Sequence, residues 1–149
     1  MTNHYKLRIP RDLYEAMLAH ALAESPNECC GLLAGAVIAD VGLVSRHLPL
    51  VNIAPTPQVE YLSEPRSMFT AEKAMRAERI ERLAVYHSHP ASDPIPSRKD
   101  RERNFGGAAL NLIISLKQRQ PVVRAWWLVN SDAFEGECEI VDCTGMPER

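Results

Sequence analysis

The apolar positions of this chain change rhythm several times, and each change marks an element. His4 to Ile9 reads as a short strand. Pro10 then opens a helix, because proline suits a first helical turn. Leu13, Met17, Ala21 and Leu22, with Leu18 beside them, recur at helical spacing. Ser25 and Pro26 end that helix. Cys30 to Ala39 is an apolar run broken by glycines and reads as a buried strand. Val41 to Val51 pairs with it as a hairpin that turns near Asp40 and Gly42.

The pattern lapses from Asn52 to Gln58, where two prolines and little periodicity indicate a loop. A helix is expected from about Pro65 to Glu81, with Pro65 near its start and charges along one face. Leu83 to His87 reads as a strand, and Ala91 to Pro96 as a rigid, proline-rich loop. Ser97 begins a short helix that Gly106 stops, in the usual glycine position past a helix end. Leu110 to Leu116, Val122 to Val129 and Phe134 to Val141 read as three closing strands. The elements predict an α+β domain, a mostly antiparallel sheet flanked by helices.

No internal repeat or low-complexity tract interrupts this order, and 149 residues suit one domain over residues 1–149. An apolar fraction of 46% and a charged fraction of 24% exclude a disordered or fibrous chain. The net charge of -2 lacks the basic footprint of a nucleic-acid binder. Arginines do gather in Arg76 to Arg82 and Arg98 to Arg103. Acids interleave with them, as on a solvated helix face. The longest apolar run, Cys29 to Ala39, falls short of the ~20 residues that a bilayer helix needs. The polar start, Met1 to Arg11, has no apolar signal-peptide core. A cytoplasmic protein with no membrane or nucleic-acid partner is expected. Cys29, Cys30, Cys138 and Cys143 form no C-x-x-C pair and read as reduced, partly buried thiols.

The candidate chemistry lies in His87-Ser88-His89-Pro90 and in Ser97-Arg98-Lys99-Asp100. Residues two apart on a strand point the same way. His87 and His89 can therefore grip one metal ion. The loop and the helix after it would bring Asp100 back as a third ligand. Such a set leaves one tetrahedral position open, as in catalytic rather than structural zinc sites. Plainer readings stay open. A His-x-His pair also suits two polar residues at a strand end. Ser97 and Asp100 also fit a helix cap with an acid three residues on. A cap would itself fix where Asp100 points. Glu28, in Asn27-Glu28-Cys29-Cys30-Gly31, is the candidate base, since an acid beside an apolar strand is costly to bury without a partner. The alternative is an exposed turn glutamate.

Together these positions resemble the JAMM (MPN+) metallopeptidases. That family carries a glutamate before an early strand, then His-x-His-Pro, then Ser-x-x-Asp with ten residues between the second His and the Asp. Glu28, His87, His89, Pro90, Ser97 and Asp100 match every position, and the order of elements suits an MPN domain, with its cytidine-deaminase-like fold. The resemblance implies that His87, His89 and Asp100 hold Zn²⁺. It implies that Glu28 is the general base that passes a proton from water to the leaving amine. Ser97 would donate a hydrogen bond to the tetrahedral oxyanion. The stretch Glu28 to Leu33 is similar to the bacterial Mec branch, which trims the C-terminal Gly-Gly tail of ubiquitin-like sulfur-carrier proteins. The implied reaction is zinc-dependent hydrolysis of a peptide or isopeptide bond at such a tail. An isopeptidase that frees a ubiquitin-like modifier from lysine is the alternative. A non-catalytic MPN scaffold would lack the ligands that this chain keeps. The DNA-associated RadC family carries a longer His-x-His-Asn-His-Pro run, whereas here Pro90 follows His89 directly. Family members often pair, so a homodimer is also implied.

Overall fold

The computed structural model describes residues 4–102 and 109–142. Strand β1 (Lys6–Pro10) runs straight into α1 (Arg11–Glu24), whose buried residues are Met17 and Ala21. Leu13 and Leu18 pack beside them, but Leu22 stands outside the stripe, 58% exposed. Strands β2 (Cys30–Ile38) and β3 (Val41–Leu50) form the expected hairpin. Ala39 and Asp40 make its turn, with φ of 50° and 64°. Two central residues at positive φ match the right-handed twist of the flanking strands.

Helix α2 (Pro65–Glu78) starts where proline predicts but stops short of Glu81. Arg79 takes the left-handed conformation, and Glu81 already belongs to β4 (Glu81–His89). A left-handed cap formed by arginine leaves no glycine signal to read. Helix α3 (Arg98–Glu102) follows the proline-rich loop. Gly106, its expected stop, lies outside the described residues. After β5 (Leu110–Ser115) and β6 (Val122–Val129), the single strand expected from Phe134 to Val141 is in fact two. Strand β7 (Asp132–Glu135) turns back on β6 through Asn130 and Ser131, both at positive φ, and β8 (Cys138–Val141) follows after Gly136 and Glu137.

The sheet order is β7-β6-β5-β4-β2-β3-β1-β8. Four neighbouring pairs are antiparallel, and β1–β3, β1–β8 and β4–β5 are parallel, so the described sheet is mixed. A flat sheet of this order would set β7 and β8 roughly 34 Å apart, at ~4.8 Å per strand. Their two-residue link spans at most about 11 Å. The sheet must therefore curl until its edges meet. The Leu7 N–H donates to the Glu137 carbonyl at 3.0 Å, and His4 and Tyr5 pack on Trp127 of β6. Helix α1 covers one face, over a core that includes Leu7, Ile9, Leu33, Tyr86 and Leu112. Helix α2 covers Cys30, Leu32, Leu48 and Leu50 on the other. The site opens on this second face.

Candidate metal centre

Strand β4 is buried over its last four residues. Alternation sends Tyr86 to the α1 face and His87 and His89 to the α2 face. The two Nε2 atoms lie 3.1 Å apart, and each lies 3.2 Å from Asp100 Oδ2. These three side chains form a group able to hold a metal ion, with His87 and His89 buried. Four tetrahedral ligands at ~2.0–2.1 Å from a metal sit about 3.3 Å from one another. The observed spacings fit that requirement. His89 Nδ1 lies 2.8 Å from the Asp93 carbonyl, so this nitrogen carries the proton and Nε2 keeps its lone pair for the cluster.

Asp100 is aimed by a reciprocal cap. The Ser97 N–H donates to Asp100 Oδ2 at 2.8 Å, and the Asp100 N–H donates to Ser97 Oγ at 3.1 Å. The second bond uses an oxygen lone pair and leaves the Ser97 hydroxyl proton for another acceptor. The cap reading therefore holds and does not compete with a catalytic one. Burial alone would raise the Asp100 pKa. The adjacent His87, the hydrogen bonds to both imidazoles and the Ser97 N–H hold it well below the usual carboxylate range instead. Burial alone would lower His89, but the bonds to Asp100 and Asp93 raise it.

Glu28 stands just before β2 and is 6% exposed, which removes the exposed-turn alternative. Its Oε1 has no hydrogen-bond partner among the described residues. Burial pushes its carboxyl up to about 8, with His89 pulling down and Asp100 pushing up. The register that pairs Cys30 with His87, continued by the Ser88 N–H donating to the Cys29 carbonyl and the Cys29 N–H donating to Ser88 Oγ, sets Glu28 across from His89.

The sequence pattern predicted the loop between β3 and α2 but not its part in the site. Tyr61 stacks on His87, with ring centroids 4.7 Å apart, and Glu60 Oε1 lies 3.5 Å from Lys99 Nζ, next to Asp100. A cavity of about 570 Å³ reaches the cluster at Asp100 and Tyr61, with Leu32, Leu50, Met68 and Val85 among its apolar walls. Cys29, Cys30 and Cys138 are free thiols, and burial raises all three. Cys143 lies outside the described residues. Among the described residues no helix is long and apolar enough to cross a membrane.

Known proteins extend these observations. Residues 10–129 match the family described as prokaryotic homologs of the JAB domain. A CysO-cysteine peptidase of Mycobacterium tuberculosis is 36% identical over 139 residues, 93% of each chain. A desampylase of Haloferax volcanii is 35% identical over 114 residues, 74% of this chain and 81% of that protein. A probable TtuB-protein conjugate cleaving protease of Thermus thermophilus is 42% identical over 94 residues, 63% of this chain and 60% of that protein. The solution structure of a Desulfitobacterium hafniense protein superposes with a TM-score of 0.83 at 34% identity, covering 91% of this chain and 93% of that one. A JAB1/MPN domain protein of Archaeoglobus fulgidus shares the fold, with a TM-score of 0.56 at 20% identity over 92% of this chain and 99% of that one. A family match across most of the sequence, a shared fold and a buried His/His/Asp cluster agree: the chain belongs to the prokaryotic JAB-domain family.

Proposed function

We propose that this chain is a zinc peptidase that hydrolyses the bond after the C-terminal Gly-Gly tail of a ubiquitin-like sulfur-carrier protein. The observation that carries the reading is the convergence of His87 Nε2, His89 Nε2 and Asp100 Oδ2 within 3.2 Å of one another, with the buried Glu28 set across from His89 by the strand register. The donor set of two imidazoles and one carboxylate suits zinc. His87, His89 and Asp100 would hold the zinc, which would supply Lewis-acid polarisation of the scissile carbonyl and a water nucleophilic near neutral pH.

The protein's own groups do the rest. Glu28 accepts the proton of the attacking water and returns it to the leaving amine. Burial raises the proton affinity of its carboxyl, which suits a group that must both take and give a proton. The Ser97 hydroxyl donates to the oxyanion as charge develops there. Its place is set by the bond from the Asp100 N–H. The Asp93 carbonyl holds the His89 ring in the required orientation. The apolar walls of the neighbouring cavity keep water away from the tail.

The match to a CysO-cysteine peptidase over 93% of both chains supports a carrier tail ending in an amino acid. The desampylase relatives of Haloferax volcanii and Pyrococcus furiosus support a second reading, removal of a ubiquitin-like modifier from lysine. The two share their chemistry and differ in the leaving amine. Two probes separate them: a sulfur-carrier protein extended by one cysteine after its Gly-Gly tail, and the same carrier joined to a lysine side chain. Mass spectrometry with zinc-loaded protein should show release of cysteine from the first, abolished by a chelator. Faster cleavage of the second would establish the isopeptidase reading. Cleavage of neither would overturn both.

A further inference from the structure

Asn52 uses the whole hydrogen-bonding capacity of its side chain. Its Nδ2 donates to the Glu28 carbonyl at 2.9 Å and to the Glu60 carbonyl at 3.1 Å. Its Oδ1 accepts from the Ala54 N–H at 2.9 Å and from the Leu62 N–H at 3.0 Å. An amide offers two donors and two acceptor lone pairs, and here each is taken.

Three of these bonds close the loop upon itself, helped by the Ile53 N–H, which donates to the Leu62 carbonyl at 2.8 Å. The fourth crosses to Glu28. Pro57, inside the same loop, accepts the Glu28 N–H at 2.7 Å. Both main-chain polar groups of Glu28 are therefore held by one loop, and Asn52 is the clasp of that loop. The anchoring matters because Glu28 Oε1 has no partner of its own among the described residues. The direction of this side chain is inherited from its backbone. The loop also reaches the metal cluster, through Tyr61 on His87 and Glu60 beside Lys99.

We infer that Asn52 is a positioning residue: by locking the 52–62 loop to the Glu28 peptide, it aims the Glu28 carboxyl at the reacting water. The inference rests on the reading of Glu28 as base. Asn52 contributes no chemistry of its own, so its influence falls on kcat and requires that Glu28 be an acid. A residue that only shaped the loop would act whatever stood at Glu28.

A double-mutant cycle tests this, with zinc-loaded protein and a sulfur-carrier protein extended by one cysteine as probe. Single-turnover rates are measured for the parent, Asn52→Ala, Glu28→Gln and the double variant, with zinc content beside each. A misaimed base costs roughly 10- to 100-fold. Asn52→Ala should lose that factor in kcat, keep KM within about twofold and retain zinc. In the Glu28→Gln background the same substitution should change nothing further. Equal losses in both backgrounds, or a loss confined to KM, would overturn the inference and leave Asn52 a loop clasp only. Parent-like activity in Glu28→Gln would instead sink the reading of Glu28 as base, and the positioning role with it. Should Asn52→Ala fail to fold, Asn52→Asp carries the same cycle, since it keeps the two acceptor bonds and replaces the donors to Glu28 and Glu60 by a carboxylate oxygen that repels both carbonyls.

Discussion

Glu28 is buried, and that burial has two measurable sides. Burial raises its pKa from about 4.5 in the unfolded chain to about 8 in the fold. A carboxyl raised in this way binds its proton more tightly when folded, so it opposes folding increasingly as pH climbs from the unfolded value toward the folded one. Glu28→Gln should therefore raise the melting temperature of metal-free protein, and by more at pH 8 than at pH 5. The same variant should lose at least ~10² in kcat, the scale of a general base. An equal stability gain at both pH values would mean that the carboxyl does not titrate as its burial requires. Ser97 divides differently. Ser97→Ala should cost about 1 kcal/mol as a lost cap, and Ser97→Gly only a few tenths. Both should lose roughly 10²–10³ in kcat if the hydroxyl stabilises the oxyanion. Recovery of activity in the glycine variant would leave Ser97 a cap alone. The local spacing of His87, His89, Ser97 and Asp100 made the candidate cluster legible, whereas Glu28 could also read as an exposed turn glutamate and took the role of base through the family resemblance. The sequence did not expose Asn52, whose bond to Glu28 spans 24 residues and exists only once the chain is folded.

Strand β4 joins the metal cluster to a second polar group on its opposite face. The Tyr86 hydroxyl lies 2.6 Å from His20 Nδ1 and 2.7 Å from His47 Nε2. Gly31 pairs with Tyr86 across the sheet, and a Cβ there would come within 2.3 Å of the tyrosine ring. Gly31→Ala should destabilise the protein by roughly 1–3 kcal/mol, the usual cost of overpacking. It should also weaken zinc binding, because His87 adjoins Tyr86 on the same strand. A denaturant titration and a zinc titration check the two effects. Unchanged zinc affinity would show that the faces of β4 move independently. Burial lowers both histidines, His47 to about 4, while the Glu24 carboxylate works the other way on His20. A depressed histidine stays neutral in the fold while the unfolded chain takes up protons below ~6.5. Stability is thus lost as pH falls from about 6.5 toward the folded pKa. The urea midpoint should fall across that window, and less steeply in His47→Asn; an identical slope would remove His47 as a cause. The order of elements was legible in the hydrophobic rhythm, but two boundaries were not. The left-handed end of α2 falls on Arg79, a residue type with no turn signature. Strands β7 and β8 read as one because only Gly136 and Glu137 part them.

Across the whole molecule, the candidate ligands come from β4 and α3, so a bound metal would tie separate elements together. A ligand that binds only the native state, present at a hundred times its Kd, adds about 2.7 kcal/mol. In a domain of this size that is roughly 5–10 °C in Tm. Chelation should lower the melting temperature by that order, and Asp100→Ala should melt at the same temperature with or without zinc. A zinc-dependent shift that survives in Asp100→Ala would place the metal elsewhere. The curl of the sheet bears on how the newborn chain comes together. Strands β2 to β5 are contiguous in sequence and frame the metal centre, so they can assemble as they emerge from the ribosome. Strand β1 emerges earlier, yet one of its two neighbours is β8, the last strand described. Until β8 arrives, one side of β1 is an open template for any passing strand. Lys6 and Arg8, both of which end in salt bridges to Glu139, stand uncompensated during that wait. Two unpaired cations on a bare edge repel another copy of the same segment, so the side chains that later fasten the closure also guard the chain before it closes.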